Sequence, residues 1–383
     1  MFQEVKLRPV GPIALATVSE NSTETLRPER TTVDGLILAG THSWGDDVLE
    51  RVAPKPLWPV ALVPLIKHGI RWLHDGGVAT AHICANSETS ALRARFGAGE
   101  SLNPPLAYYE DRMPRGPAGC ARDATRATHG NAVIILEGSI VPRVDFDALL
   151  DTHLGKKAAL TVAVQEATRP PLSDSLSGDR APGDRPSDVP LEPIGIYVCS
   201  RAALLKIPAS GYQDIKEGWI PKLYADGLPV VTHQVNAQSA PRVTDSASYL
   251  DANLWAVSRL DADGEADRLS QCGFHRRRRA WVHESARISP TAKLKGPILI
   301  GAACKVRAGA MIIGPAVIGR ESVVDRDAVV SRSVIWDQCT IGAGALLDCS
   351  ILTHRTSIDA ETVVRSTVLV ASIRSPSKVA HGH

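Results

Sequence analysis

From residue 282 onward, aliphatic side chains return along the chain at near-constant spacing. Val282, Ile288, Leu294, Ile300, Val306, Ile312, Ile318, Val324 and Val330 stand six apart. One step of five leads to Ile335, Ile341 and Leu347, and another to Leu352, Ile358 and Val364. Four places after many of these anchors comes a small residue: Ala286, Ala292, Cys304, Ala310, Ala316, Ser322, Ala328, Cys339 or Ala345. A period of six belongs neither to a helix nor to the alternation of a simple strand. It suits a parallel β-helix, whose coils stack one hydrophobic position over the next. The aliphatic side chain fills the prism and the small one lets the corner turn. An ordinary β-sandwich is disfavoured, because its turn signals recur every ~8–12 residues.

Upstream the pattern is different. Residues 1–32 end in a polar stretch from Ser19 and read as an extension with little core of its own. From Val33 to about residue 262, apolar runs alternate with helix-like segments. Strands are predicted at 33–39, 78–85, 106–109, 132–136, 158–164, 194–199 and 229–234. Helices are predicted at 64–74, stopped by Gly76-Gly77, after a Ser87 N-cap, and at 120–128, 146–153, 219–224 and 246–260. Strands separated by helices of this length imply an α/β domain with a doubly wound, mostly parallel sheet covered on both faces. Residues 167–193 break the order, with six prolines among Ser, Asp, Gly and Arg, and read as an exposed insert. Residues 263–280, with the basic run His275 to Arg279, read as a solvated linker, 281–370 as the β-helix, and 371–383 as a tail.

Composition narrows the function classes. The 383 residues leave room for about two or three domains and, at 44% hydrophobic, are ample for packed cores. A net charge of +2 gives no reason to expect nucleic acid or an anionic membrane as main partner. Seven cysteines without a C-x-x-C pair favour reduced thiols in a cytoplasmic protein over a disulfide frame or zinc site. No apolar run approaches the ~18 residues of a membrane span, and Glu4, Gly11 and Pro12 spoil a signal peptide.

Four motifs carry a family resemblance. They are Leu36-Ile37-Leu38-Ala39-Gly40; Pro54-Lys55-Pro56-Leu57-Trp58-Pro59-Val60; Gly116-Pro117-Ala118-Gly119; and, in the coils, Ser333-Val334-Ile335-Trp336-Asp337 with Ile341-Gly342-Ala343-Gly344-Ala345. In this order they resemble the sugar-nucleotide pyrophosphorylases, such as mannose-1-phosphate guanylyltransferase and the glucose-1-phosphate nucleotidyltransferases, over residues 33–365. The resemblance implies a nucleotidyltransferase-like α/β domain followed by a left-handed parallel β-helix. It also implies that a nucleotide or nucleotide sugar contacts Gly40, Thr41, Ser43, Lys55, Arg115, Gly116, Ala118 and Gly119, with Gly138 and Gly195 near the sugar. Lys55 is then the best candidate for a catalytic cation.

The chemistry at those positions departs from the family. Its loop of form Gly-x-Gly-Thr-Arg lets backbone N–H groups close on a triphosphate while the Arg meets developing charge. Here Thr41 and Ser43 replace the glycines, Trp44 the Thr and Gly45 the Arg, and Asp46 and Asp47 follow. The family's two Mg²⁺-binding Asp positions correspond to Ser139, in Glu137-Gly138-Ser139, and to Arg242. Mg²⁺ wants hard anionic oxygens, so no metal ligand is expected, and Mg²⁺ is a cofactor only if transfer survives by other groups. Where the family holds its sugar with Asn-Ala-Gly, this chain has Pro193-Ile194-Gly195. Arg115 is left as a possible electrostatic compensation beside Gly116.

Three function classes stay open. One is a weak or inactive nucleotidyltransferase-like protein with a regulatory, scaffolding or nucleotide-sugar-sensing role, paired with an active homologue in a homo- or hetero-oligomer. Another is a working sugar-1-phosphate nucleotidyltransferase that recruits Asp46, Asp47, Asp111 or Asp123. The last is a hexapeptide acyltransferase using His283 or His354, although both also read as corner residues facing water. A nicotinamide dehydrogenase is disfavoured further, since no G-x-G-x-x-G follows any strand.

Overall fold

The computed structural model describes residues 32–40, 47–85, 89–97, 104–110, 115–126, 128–166, 190–237, 239–262 and 264–371. The expected extension up to residue 31, Thr41, Ser43 and the rest of 41–46, Ser87, Asp111, the insert over 167–189 and the tail from 372 lie outside the described residues.

The first half of the chain alternates as its pattern predicts. In order come β1 (Val33–Leu38), the short hairpin β2 (Pro59–Val60) and β3 (Val63–Pro64), α1 (Leu65–Asp75), β4 (Ala81–Cys84), α2 (Thr89–Phe96) and β5 (Leu106–Tyr109). Then follow α3 (Gly116–Ala124), β6 (Ala132–Glu137), α4 (Phe146–Gly155), β7 (Leu160–Glu166), β8 (Leu191–Ser200) and α5 (Arg201–Leu204). A π-helical turn (Ile215–Trp219) runs into α6 (Ile220–Ala225), and β9 (Val230–Gln234) and α7 (Ser246–Ser258) complete the domain. Helix α3 starts at Gly116, so Gly116-Pro117 is its first turn, several residues ahead of the predicted start. The insert ends sooner than expected, because residues 191–193 already belong to β8.

Seven strands form one sheet in the order β5-β4-β1-β6-β8-β7-β9. Most pairings are parallel, but β8 runs antiparallel to both β6 and β7, which makes the sheet mixed. Period-two alternation sorts its side chains between two cores. Ile37, Ile134, Leu136, Ile196 and Val198 pack with α1 and α4 on one face. Leu36, Val133, Ile135, Tyr197 and Cys199 pack with α3, α5 and the π-helical turn on the other. The chain order reverses at β1, which lies between β4 and β6, and that reversal opens a crevice at the carboxyl ends of these strands.

The C-terminal repeat is a three-sided β-helix. Val282, Ile300, Ile318, Ile335 and Leu352 stack in one sheet, Ile288 to Ile358 in a second and Leu294 to Val364 in a third. Each coil has 18 residues until the Ala316–Ile318 strand and 17 afterwards, as the two shortened steps require. The small residues do more than relieve crowding. Cys304 Sγ donates to the Gly319 carbonyl (2.9 Å), Ser322 Oγ to the Trp336 carbonyl (3.1 Å) and Cys339 Sγ to the Thr353 carbonyl (3.0 Å), tying coil to coil. None of the seven cysteines is in a disulfide.

Residues 263–280, expected as a bare linker, instead hold α8 (Glu265–Gln271) and β10 (Phe274–Arg277). Strand β10 pairs antiparallel with β11 (Ala280–His283), so the basic run forms the hairpin that opens the β-helix. Arg276 is spent on Asp261 at 2.8 Å. Helix α8 is tied back by Glu265, which accepts from Arg143 (3.0 Å) and Arg268 (3.1 Å), while Arg268 also reaches Asp75 at the end of α1. A larger seam joins the two parts of the fold. The outward residues of one β-helix face, Trp281, Leu299, Val317, Val334 and Ile351, are apolar and pack with Tyr249, Ala252 and Ala256 of α7.

His68 on α1 is buried against this network, and its Nε2–H donates to the Val60 carbonyl (3.1 Å). Burial pushes its pKa down to about 4. The unfolded chain therefore binds this proton more readily, and the stability held above about pH 6.5 is lost as pH falls toward 4. Acidification from pH 7 to 5 should cost about 2 kcal/mol through this group. The loss should shrink in His68→Gln when urea midpoints are compared at the two pH values; an unchanged pH dependence would show that His68 is not responsible.

Candidate functional site

The crevice at the carboxyl ends of β1, β4 and β6 deepens into a cavity of about 810 Å³. Leu38, Ala39 and Gly40 line it from the end of β1, Cys84 from β4, and Glu137, Gly138 and Ser139 from β6. The remaining walls come from the 47–56 segment, the start of α3, Tyr197 of β8, residues 212–216 and residues 242–245. Its size falls within the range of small-molecule sites.

Lys55 lines the cavity, and its partners specify its setting. Trp58, fully buried, anchors the Pro-Lys-Pro segment by donating its indole N–H to the Ala53 carbonyl (2.8 Å) and by edge packing against Tyr249. The Lys55 ammonium then donates to the Thr244 carbonyl (2.7 Å) and pairs with Glu50 (3.1 Å), with only 11% of its side chain exposed. It is therefore a clamp between two walls as well as a cation facing the cavity.

Arg115 does not supply the expected compensation. Its guanidinium donates to Asp123 (3.0 Å) and to the carbonyls of Gly211 (2.8 Å) and Pro208 (2.9 Å), and it is not part of the cavity lining. Gly116 does line the cavity, with φ +73, and a Cβ there would stand 2.5 Å from the Gln213 carbonyl oxygen. The neighbouring Ala118 N–H donates to that same oxygen (3.1 Å). Pro117 has no N–H, so the start of α3 has little to offer a phosphate. Ala118 is buried, and Gly119 is the residue on which Arg115 rests. Of the acids named as spare, Asp123 is held by Arg115, and Asp47 accepts from the Leu49 and Ser246 N–H groups and the Ser246 hydroxyl.

The positions that resemble metal ligands are brought together, but with altered chemistry. Residues 139–143 and 239–243 run antiparallel, with the Val243 N–H donating to the Ser139 carbonyl (2.7 Å) and the Val141 N–H to the Pro241 carbonyl (3.0 Å). That register aims Arg242 at Glu137, and the two form an ion pair on the cavity wall. Tyr197 donates its hydroxyl to the other Glu137 oxygen (3.5 Å), and burial together with the carboxylate keeps this phenol protonated well above its usual range. Gly195 is what makes room. Its φ is +88, and a Cβ would lie 2.8 Å from Arg242 Nη2 and 2.9 Å from Glu137 Cδ. Gly195 thus serves the ion pair rather than lining the cavity, whereas Gly138 lines it directly.

These residues do not fit Mg²⁺. The Glu137 carboxylate is taken by a guanidinium, and Ser139 is neutral. Asp245 caps α7 in a reciprocal box with Ser248, whose hydroxyl and N–H hold the Asp245 carboxyl below the usual range. Among the described residues, no three His, Cys, Asp or Glu side chains gather as a metal cage. Among the described residues, the cavity lining carries five acidic and three basic side chains, a formal balance of −2. The histidines of the repeat are elsewhere: His283 bonds Ser285 (2.8 Å), and His354 packs its ring edge on Trp336.

Comparison with known proteins agrees with this fold. A family model described as "Nucleotidyl transferase" matches residues 39–172, and one described as "GMPPB C-terminal domain" matches residues 277–378. A mannose-1-phosphate guanylyltransferase of Mycobacterium tuberculosis is 24% identical over 331 residues, 82% of this chain and 83% of the relative. A UTP–glucose-1-phosphate uridylyltransferase of Synechocystis sp. is 20% identical over 347 residues, 85% and 88% of the two chains. A D-glycero-alpha-D-manno-heptose 1-phosphate guanylyltransferase of Aneurinibacillus thermoaerophilus is 26% identical over 115 residues, 29% of this chain and 48% of the relative. With a nucleotidyl-transferase model for the α/β half, another model for the β-helix half, and relatives aligned over most of the length, the chain is similar to the sugar-nucleotide transferases.

Proposed function

We propose that this protein is a sugar-phosphate nucleotidyltransferase-like subunit whose transfer activity is weak or absent, and that it acts by binding a nucleotide or nucleotide sugar in a regulatory, scaffolding or sensing role. The observation that carries this reading is the Glu137–Arg242 ion pair: Arg242 stands where the family resemblance puts one metal-binding carboxylate, and Glu137 lies two residues before Ser139, which stands where it puts the other. Removing one preorganised charge-stabilising group typically costs ~10²–10³ in rate. Here the metal donors and the loop Arg are missing together, while the two described acids that could have replaced them, Asp47 and Asp123, are consumed by capping and by Arg115. An active homologue is the natural partner for such a subunit in a cytoplasmic oligomer.

The test is to incubate the purified full chain with Mg²⁺, a panel of nucleoside triphosphates and sugar 1-phosphates, and to follow pyrophosphate release. A turnover at least ~10³-fold below the ~10 s⁻¹ of an ordinary enzyme is expected. Robust turnover with any pair of substrates would instead establish a working transferase with relocated catalytic groups.

A further inference from the structure

The misfit between the cavity and Mg²⁺ has a consequence for what the cavity selects. Arg242 keeps a third of its side chain exposed, lines the cavity, and is bonded to protein only through Glu137 among the described residues. Its guanidinium is a fixed positive charge on the cavity wall, aimed by the 139–143 and 239–243 ladder and housed in space that Gly195 leaves open. The ion pair was neither assembled from exposed side chains nor left to chance, since three separate segments meet to make it.

We propose that the Arg242 guanidinium stands in for the missing metal and that the cavity holds a nucleoside diphosphate sugar without a divalent ion, in preference to a nucleoside triphosphate. This rests on the reading that the cavity binds rather than transfers. The formal balance of the lining among the described residues is −2, so a further negative charge on a ligand meets net repulsion from it. A diphosphate diester carries one charge per phosphate, and a triphosphate carries roughly two charges more, each costing roughly fourfold in affinity for one unscreened partner at ~5 Å in water. Metal-dependent enzymes cancel that excess with the ion. Among the described residues this cavity has a single guanidinium for the purpose, enough for a pyrophosphate bridge and too little for a free γ-phosphate. Glu137 tunes the device, because the ligand must share Arg242 with it.

The proposal is tested by isothermal titration of the full chain with GDP-mannose, UDP-glucose and the matching triphosphates, each in EDTA and in Mg²⁺. At least one nucleotide sugar should bind in EDTA at least about tenfold more tightly than its triphosphate, with Mg²⁺ changing its Kd less than about twofold. Arg242→Gln should weaken that binding about tenfold or more, whereas Glu137→Gln should strengthen it severalfold by releasing Arg242 and removing a negative charge. Opposite signs distinguish a ligand contact from a shared structural role, and thermal unfolding of both variants checks that they are folded. Tighter, Mg²⁺-dependent triphosphate binding, no binding of any nucleotide sugar, or equal effects of the two substitutions would overturn the proposal. Pyrophosphate release is read separately, so turnover would refute the proposed function while the order of affinities decides this inference.

Discussion

Trp336→Ala is expected to lower the unfolding free energy by about 4 kcal/mol, within the range for emptying a buried aromatic site. Trp336 is 1% exposed although it lies at a corner of the β-helix, directly after the stacked Ile335. Its indole N–H donates to the Tyr249 hydroxyl (2.7 Å), and that hydroxyl donates onward to the Pro59 carbonyl (2.6 Å). The ring also meets Tyr249 and His354 edge to face. One side chain thus joins the coils, α7 and the segment that carries Lys55. Trp336→Phe should retain most of the packing and lose about 1 kcal/mol for the hydrogen bond. Urea denaturation followed by circular dichroism measures both. A loss below 1 kcal/mol for the alanine variant would mean that the seam between the two halves contributes little to stability.

Gly319→Ala should cost about 3 kcal/mol, although it adds only one methyl group. A Cβ at Gly319 would stand 2.4 Å from the Trp336 carbonyl carbon and 2.6 Å from its oxygen. These are backbone atoms of the next coil, stacked through the Gly319 N–H bond to the Ile335 carbonyl (2.7 Å), and they have no rotamer by which to withdraw. The two coils must part at the corner that seats Trp336. Gly155→Ala, at the end of α4 with nothing within 4 Å of the added carbon, is the control and should be neutral or slightly stabilising. If both substitutions behaved alike in the same denaturation experiment, the close coil spacing at Gly319 would be refuted.

The cavity was only partly legible. Gly40, Gly116, Gly138 and Lys55 line it as their motifs imply, because motif residues at strand ends are carried to the crevice by the topology of the sheet. Arg115, expected beside a nucleotide, instead bonds the Gly211 and Pro208 carbonyls, which lie more than 90 residues away in sequence and leave no local signal. Asp47 reads as a spare acid in the sequence, yet Ser246 claims it from 199 positions along the chain. Gly195 is expected near a sugar from the resemblance, whereas the space it leaves is filled by Arg242 and Glu137. The docking of α7 did leave a signal that could have been found. The residue before every third anchor is apolar, from Trp281 through Leu299, Val317, Val334 and Ile351, where a face open to water would carry polar side chains.

The alternation of strands and helices over most of the first domain, the stacking of the coils and the residue types at the positions that the resemblance aligns with metal ligands are all legible in the sequence alone, since periodicity and residue type act locally and repeat. What only tertiary structure decided is the pairing of charges. Whether Arg242 faces solvent, a ligand or Glu137 depends on the register between two segments about a hundred residues apart and on the room left by a glycine in a third. Electrostatic partnership is set by distance in space, and no local pattern encodes it.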